Sequence, residues 1–227
     1  MTISKNLLCC PLFDGIAASE LTGMLTCLGS RQKSYIKGDV ILPEGSPAQE
    51  VGILVKGQVH LIRTDYDGNR SIMMHINPGQ LFAESFACAK AKRLPVSVVA
   101  SEDCEVLLLE CRRLLTTCSH ACAFHGRVIF NLLQIVADKN LSLHRKALIT
   151  AKRTTREKLL TYLILQAKEA GGASFTIPFD RQELADYLEV DRTGLSAEMS
   201  KLKKEGVLDY YKNSFRLLCV PEAMTLQ

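Results

Sequence analysis

The chain has 227 residues, 47% of them apolar, and 28 Lys or Arg against 24 Asp or Glu, a formal charge of +4. That is apolar material for two modest cores, which excludes a short peptide or a disordered tail, and so mild a charge does not by itself mark a nucleic-acid binder. No stretch reads as an uncharged membrane span and no leader is evident, so a cytoplasmic protein without a membrane partner is expected, its nine cysteines held as thiols.

From Tyr35 to Leu109, short apolar or β-branched runs are punctuated by glycine at 38, 45, 57, 68 and 79. This is the rhythm of a small antiparallel barrel. The runs from Val51 to Val55, Val59 to Ile62 and Ile72 to Ile76 are expected as strands separated by turns at Gly57 and Gly68. His60 and His75 fall within them and are expected as hydrogen-bonded barrel residues. The segment from Pro78 to Ser85 interrupts the alternation, which resumes at Val96 to Ala100 and Cys104 to Leu109; such a break lets a short helix and loop line a cavity. Residues 1–112 are therefore expected to form an N-terminal double-stranded β-helix, or jelly-roll, sensor barrel.

Residues 113–150 change period. Ile129, Leu133, Val136, Asn140, Leu143 and Ala147 follow steps of four and three, the seam of a coiled coil, so this stretch is expected as a dimerisation helix. Asn140 either fixes the register of that seam or turns to solvent. Leu132 and Ile135 lie off the seam, placed to pack on the barrel. Cys111, Cys118, His120, Cys122 and His125 crowd its start. Cys118 and Cys122, one helical turn apart, suit a redox pair or zinc, yet the spacing matches no compact zinc motif, and small apolar cysteines filling an interface are the alternative. No metal site is assigned. A basic run, Lys139, His144, Arg145, Lys146, Lys152, Arg153, Arg156 and Lys158, reads either as a phosphate-following surface or as a solvated helix face.

The apolar pattern resets near residue 151, opening a third region, 151–227. Asp180 is placed to cap a short helix carrying Leu184, Ala185 and Leu188 on one face, with Glu183 three residues on to bond back. Glu189-Val190-Asp191 breaks it. A second helix, capped by Asp191, repeats Leu195, Met199 and Leu202 until Gly206. Val207, Leu208 and Tyr210, then Phe215 and Leu217 across Lys212-Asn213-Ser214, predict a hairpin, so the whole reads as a winged helix-turn-helix. The outer face of the second helix, Arg192, Thr193, Ser196 and Ser200, is small and polar enough to enter a major groove of double-stranded DNA. Arg192, Thr193 and Ser196 are expected at or near base edges, and Arg181, Gln182 and Lys201 on phosphates, with Asp191 and Ser200 completing the expected DNA-binding set. From residue 181 to 216 seven basic side chains balance seven acidic ones, so pattern rather than bulk charge carries this reading.

Barrel, long helix and winged helix-turn-helix in this order make an α+β chain that resembles the Crp/Fnr family of bacterial transcription regulators over nearly its whole length. The likeness is carried by Gly79-x-x-Phe82-Ala83-Glu84, Cys104-Glu105-Val106, and Arg181-Gln182-Glu183-Leu184-Ala185 with Asp191-Arg192. It implies a homodimer on a palindromic operator, contact with RNA polymerase, no enzymatic activity, and a small-molecule effector between barrel and long helix, with Phe82, Glu84, Ser85, Arg93, Leu94, Val96 and Ser97 as the effector-binding residues.

Three departures qualify what the resemblance implies. Cyclic-nucleotide binders of the family clamp the phosphate with an arginine where this chain has Leu94, Arg93 standing one residue away, so a different effector, aromatic or carboxylated, is expected rather than cyclic AMP. Many members carry an arginine where this chain has Ala197. The adjacent Cys9 and Cys10, with Cys27 distant, poorly suit an iron-sulfur cluster, and Ala83 and Ser85 stand where a haem-containing relative places its ligands, so neither cofactor is expected. Two alternatives stay open: a thiol- or metal-based redox sensor with the same DNA output, and a regulatory binding subunit that has lost DNA binding.

Overall fold

The computed structural model describes residues 4–116 and 123–219. It divides into two compact units, Met1–Asn69 with Met73–Leu141, and Arg70–Ile72 with Ser142–Gln227. Cys118, His120 and Cys122 lie outside the described residues.

In the first unit the chain enters through α1 (Lys5–Leu8), capped by Ser4, a 3-10 turn at Pro11–Phe13 and α2 (Ala18–Cys27). Eight strands follow: β1 (Arg31–Tyr35), β2 (Val40–Leu42), β3 (Glu50–Lys56), β4 (Val59–Thr64), β5 (Arg70–Ile76), β6 (Leu81–Phe82), β7 (Ser97–Ala100) and β8 (Cys104–Glu110). The short helix α3 (Glu84–Cys88) separates β6 from β7, and α4 (Cys111–Leu115) follows β8 directly. The strands form two antiparallel sheets, β1-β8-β3-β6 and β2-β7-β4-β5.

The apolar runs in β3 and β8 are nearly continuous because their sheet is covered on both faces. Ile53, Val55, Leu107 and Leu109 point to a core shared with α1, α2 and α4, whereas Leu54, Val106 and Leu108 point to a second core against Leu61, Val98 and Val59 of the other sheet. Val51 pairs with Leu109 and Leu54 with Val106, so residues facing one way stay in register across the strands. Gly57, at φ 85, closes the β3–β4 turn in the left-handed region, where a side chain would also run into the backbone of Asp103.

The long helix α5 (Ala123–Thr150) follows. It begins later than the 113–150 reading, because residues 111–115 form the separate α4. Val128 and Leu132 are buried in the first core and Ile135 and Val136 pack on it. Leu132 and Ile135 therefore meet the barrel side as expected, but Val136, assigned to the dimer seam, joins them and is corrected. Leu133, Asn140 and Leu143 are exposed and Ile129 is half-buried. The outward apolar stripe is set by Phe130, Leu133, Leu141 and Leu148, each at least half exposed.

In the second unit, α6 (Thr155–Ala170) is followed by β9 (Ser174–Thr176), α7 (Arg181–Leu188), α8 (Arg192–Lys204), β10 (Leu208–Tyr211) and β11 (Ser214–Leu217). Thr154 and Glu157 form a capping box at the start of α6, and Asp180 and Glu183 form another at α7, where each backbone N–H donates to the other's carboxylate at 2.8 and 2.9 Å. Leu184, Ala185 and Leu188 of α7 and Leu195, Met199 and Leu202 of α8 are all buried. Tyr162, Phe179 and Tyr187 pack beside them with ring centroids 4.8 to 6.2 Å apart, Phe179 stacked on Tyr187 and Tyr162 tilted to both. The wing is the hairpin β10–β11, turned by Lys212 and Asn213, with Ser214 already in the strand opposite Tyr211; β9 adds a third strand.

Candidate DNA interface and sensor site

The turn of the helix-turn-helix is made by Glu189, held at φ 55 as the C-cap of α7, and by Asp191, whose carboxylate accepts the Gly194 N–H at 2.6 Å. Asp191 is thus the N-cap of α8 and stays exposed beside Arg192. Arg192 and Thr193 follow it, both exposed; Ser196 is half-buried, and Ala197, Ser200 and Lys201 are exposed along the same helix. The Ser200 hydroxyl donates to Ser196 O at 2.9 Å. Gln182 bonds the Asp186 carboxylate at 2.7 Å and remains exposed.

Arg181 departs from its expected place at a phosphate. Its guanidinium turns inward, donating to Met199 Sδ and to Lys212 O (3.3 Å) and lying 5.2 Å from the Tyr210 ring. Burial holds it below the ordinary arginine value, against the opposing pull of Tyr210. It joins α7, α8 and the wing instead of reaching outward to a phosphate.

The acids of α8 are neutralised in place. Arg156 of α6 donates to Glu198 at 3.1 Å and to Glu205 at 2.6 Å, and its bond to Arg156 holds the Glu205 carboxyl below the usual range. Arg192, Lys201 and Lys204 are left as exposed charges of α8, so a balanced count becomes a positive outer face. The basic run before α7 is largely spent internally: Arg145 pairs with Glu169, Arg156 with the two acids, and Lys158 donates to Glu189 O at 3.1 Å. His144, Lys152 and Arg153 of that run are exposed.

In the first unit the expected effector residues do not form one open pocket wall. Phe82, Leu94 and Val96 are buried in the inter-sheet core, with the Phe82 ring pressed against Gly52, where any Cβ would overlap it. These three side chains fill the space between the sheets. Arg93 donates to Gly45 O at 2.8 Å and the Ser97 hydroxyl accepts the Glu44 N–H at 3.1 Å. Glu84 and Ser85 stand apart as polar groups. Glu84 is 1% exposed, receives the Ser85 hydroxyl at 3.1 Å, and pairs with Lys139 Nζ of α5 at 3.0 Å; Lys139 also donates to Leu81 O. Burial draws the Lys139 amine below the ordinary lysine value, and the Glu84 charge opposes that shift. Sequence reading missed this pair because Lys139 lay in a charged run with nothing to tie it to residue 84.

His60 and His75 approach at 3.1 Å within the barrel, and His75 also bonds Asn77 at 2.9 Å. Burial lowers the His75 imidazole, with the Asn77 bond acting against it. Among the described residues no three His, Cys, Asp or Glu side chains converge as a metal site, and no helix is long and apolar enough to cross a membrane.

A barrel whose short helix meets a long helix, with a winged helix-turn-helix presenting a small polar face, defines a sensor-linked DNA-binding protein. Residues 32–120 match the model of the cyclic nucleotide-binding domain and residues 157–224 that of the Crp-like helix-turn-helix domain. The chain belongs to the Crp/Fnr family of transcription regulators, which are not enzymes. It is 26% identical to the cyclic AMP receptor protein of Thermus thermophilus, over 87% of this chain and 88% of that one. It is also 26% identical to the transcriptional activator protein FnrL of Cereibacter sphaeroides, over 78% and 71%. Among solved structures it resembles the c-di-GMP responsive global regulator CLP of Xanthomonas campestris, with a TM-score of 0.73 and 18% identity over 90% and 100% of the two chains.

Proposed function

We propose that this regulator acts as a homodimer on a palindromic operator, reads it through Arg192, Thr193 and Ser196, and is controlled by a small organic effector other than cyclic AMP. The observation that carries the reading is the outer face of α8: an exposed Arg192 and Thr193 at its N-terminal turn, with its own acids held by Arg156. Gln182 and Lys201 are the candidates for backbone phosphates. The exposed stripe of Phe130, Leu133 and Leu141 supports pairing of two copies through α5. The functional division we propose is a sensor in 1–112, a dimerisation helix in 113–150 and a DNA reader in 151–227.

The effector would work on the Glu84–Lys139 pair, since that contact joins the interrupted barrel segment to the long helix. A carboxylated ligand would take Lys139 from Glu84 and shift the balance between two dimer geometries, one of which suits the operator and its contact with RNA polymerase. The Leu94 position, buried in core rather than offering an arginine, weighs against a cyclic phosphate. Selection of binding sites from a random duplex pool tests the DNA reading: two inverted half-sites about one helical turn apart are expected, and no enrichment of any sequence would overturn it. Native mass spectrometry of the protein as purified gives the subunit number and the mass of any retained effector.

A further inference from the structure

We propose that Cys88 and Cys111 form a reversible dithiol–disulfide site, oxidised by small disulfides of the glutathione class. This pair is distinct from the Cys118 and Cys122 combination raised by helical spacing, and it does not rest on the effector reading.

The two sulfurs lie 3.8 Å apart. Cys111 opens α4 and is fixed: its side chain is buried in the first core and its N–H donates to Gln49 O at 2.9 Å. Cys88 ends α3, is half-buried and packs on the same core. That five-residue helix lies between Ala83 at φ 63 and Lys90 at φ 54, two non-glycine residues in the left-handed region. A short element between two such bends can move as a piece, and closing the sulfurs to a bond of about 2 Å asks for a small movement of its end. Cys10 and Cys104 are poorer candidates, since both are buried and neither offers an incoming disulfide the half-buried sulfur that Cys88 does. Within the pair, the S–H bond from Cys88 lowers the Cys111 thiol and raises that of Cys88, so the first proton leaves more readily and the second is held between the two sulfurs.

The chemistry balances as thiol–disulfide exchange. The proton held between the sulfurs passes from Cys88 to Cys111, and the more accessible Cys88 thiolate attacks one sulfur of RSSR, forming the mixed disulfide and expelling RS−. Cys111 then attacks the Cys88 sulfur, expelling the second RS−. The protein loses two hydrogens as a disulfide forms, and RSSR is reduced to two RSH that carry both protons. Because α3 also carries Glu84, the bond would fasten the partner of Lys139 to the end of β8.

The test is peptide mapping of the full-length protein. Reduced protein is incubated with glutathione disulfide without oxygen, alkylated, and digested with trypsin and a glutamyl endopeptidase without reduction. The expected result is the Cys88 peptide joined to the Cys111 peptide, with loss of both alkylatable thiols, reversed by dithiothreitol. Cys111→Ser should replace the link by a stable glutathione adduct on Cys88. Complete alkylation of both residues in the wild-type chain, a persistent glutathione adduct there, or linkage of Cys88 to another cysteine would overturn the proposal.

Discussion

Replacing Lys139 by methionine keeps most of the side chain's volume and removes the charge that Glu84 holds at 3.0 Å. The carboxylate is left with 2% of its side chain exposed and the Ser85 hydroxyl donating to it at 3.1 Å, while Leu81 O loses the Lys139 donor as well. An exposed pair would be worth about 0 to 1 kcal/mol, but stripping one partner from a buried pair costs about 3 to 5 kcal/mol. The Lys139 side chain, 15% exposed, places this pair in the second class. For a chain of this size that corresponds to a fall of roughly 6 to 20 °C in the transition of the first unit, read by differential scanning calorimetry. The double variant K139M/E84Q should recover much of the loss, because an amide needs no counter-charge. A pH series adds a sign. The folded lysine has a lower pKa than its ordinary 10.5, so the unfolded chain binds more protons over the alkaline interval below that value, and wild-type stability should rise with pH there relative to K139M. A loss under about 1 kcal/mol, with no pH-dependent difference, would refute the reasoning.

Gly52→Ala drives a methyl into the Phe82 ring and should cost about 1 to 3 kcal/mol or more in denaturant unfolding, with G52A/F82L recovering part of it. Bonds to Arg156 and Lys203 lower the Glu205 and Asp209 carboxyls, so their contribution is present above the ordinary values of 4.5 and 3.8 and is lost as pH falls through the lowered ones. Acid titration followed by tyrosine fluorescence, which draws on Tyr162, Tyr187, Tyr210 and Tyr211, should show the second unit loosening there, and R156A should flatten the profile. Arg181→Ala should lower stability by about 1 to 3 kcal/mol through loss of its inward bonds while leaving the salt dependence of duplex binding unchanged; a shallower salt slope would return it to the phosphate contacts.

The helix-turn-helix was legible because its signals are local. A reciprocal capping box at Asp180 and Glu183, a second cap at Asp191, and apolar steps of three and four specify α7 and α8 whatever else the chain does. The long apolar runs of β3 and β8 were legible for a related reason, a sheet buried on both faces. β1 was missed over most of its length because Arg-Gln-Lys-Ser-Tyr shows no alternation, and β9 because three residues carry no period. The site was harder. Arg181 looked like an exposed partner for phosphate, yet its place depends on Met199, Lys212 and Tyr210 arriving from other elements. The seam of α5 was displaced for the same reason: Val136 is apolar at coiled-coil spacing, and only the barrel core explains why it turns inward. Glu84 was singled out by resemblance, whereas its pairing with Lys139 spans 55 residues and leaves no local trace.

The most direct test of the central claim is fluorescence anisotropy of the full chain with its selected operator and with a scrambled duplex of equal length, at one fixed salt concentration. The operator should bind at least about 1,000-fold more tightly, and Arg192→Ala should lose about 1 to 3 kcal/mol of that preference, roughly 5- to 150-fold. Equal affinity for the two duplexes, or an operator preference that survives Arg192→Ala intact, would contradict the account of α8 as the reading helix.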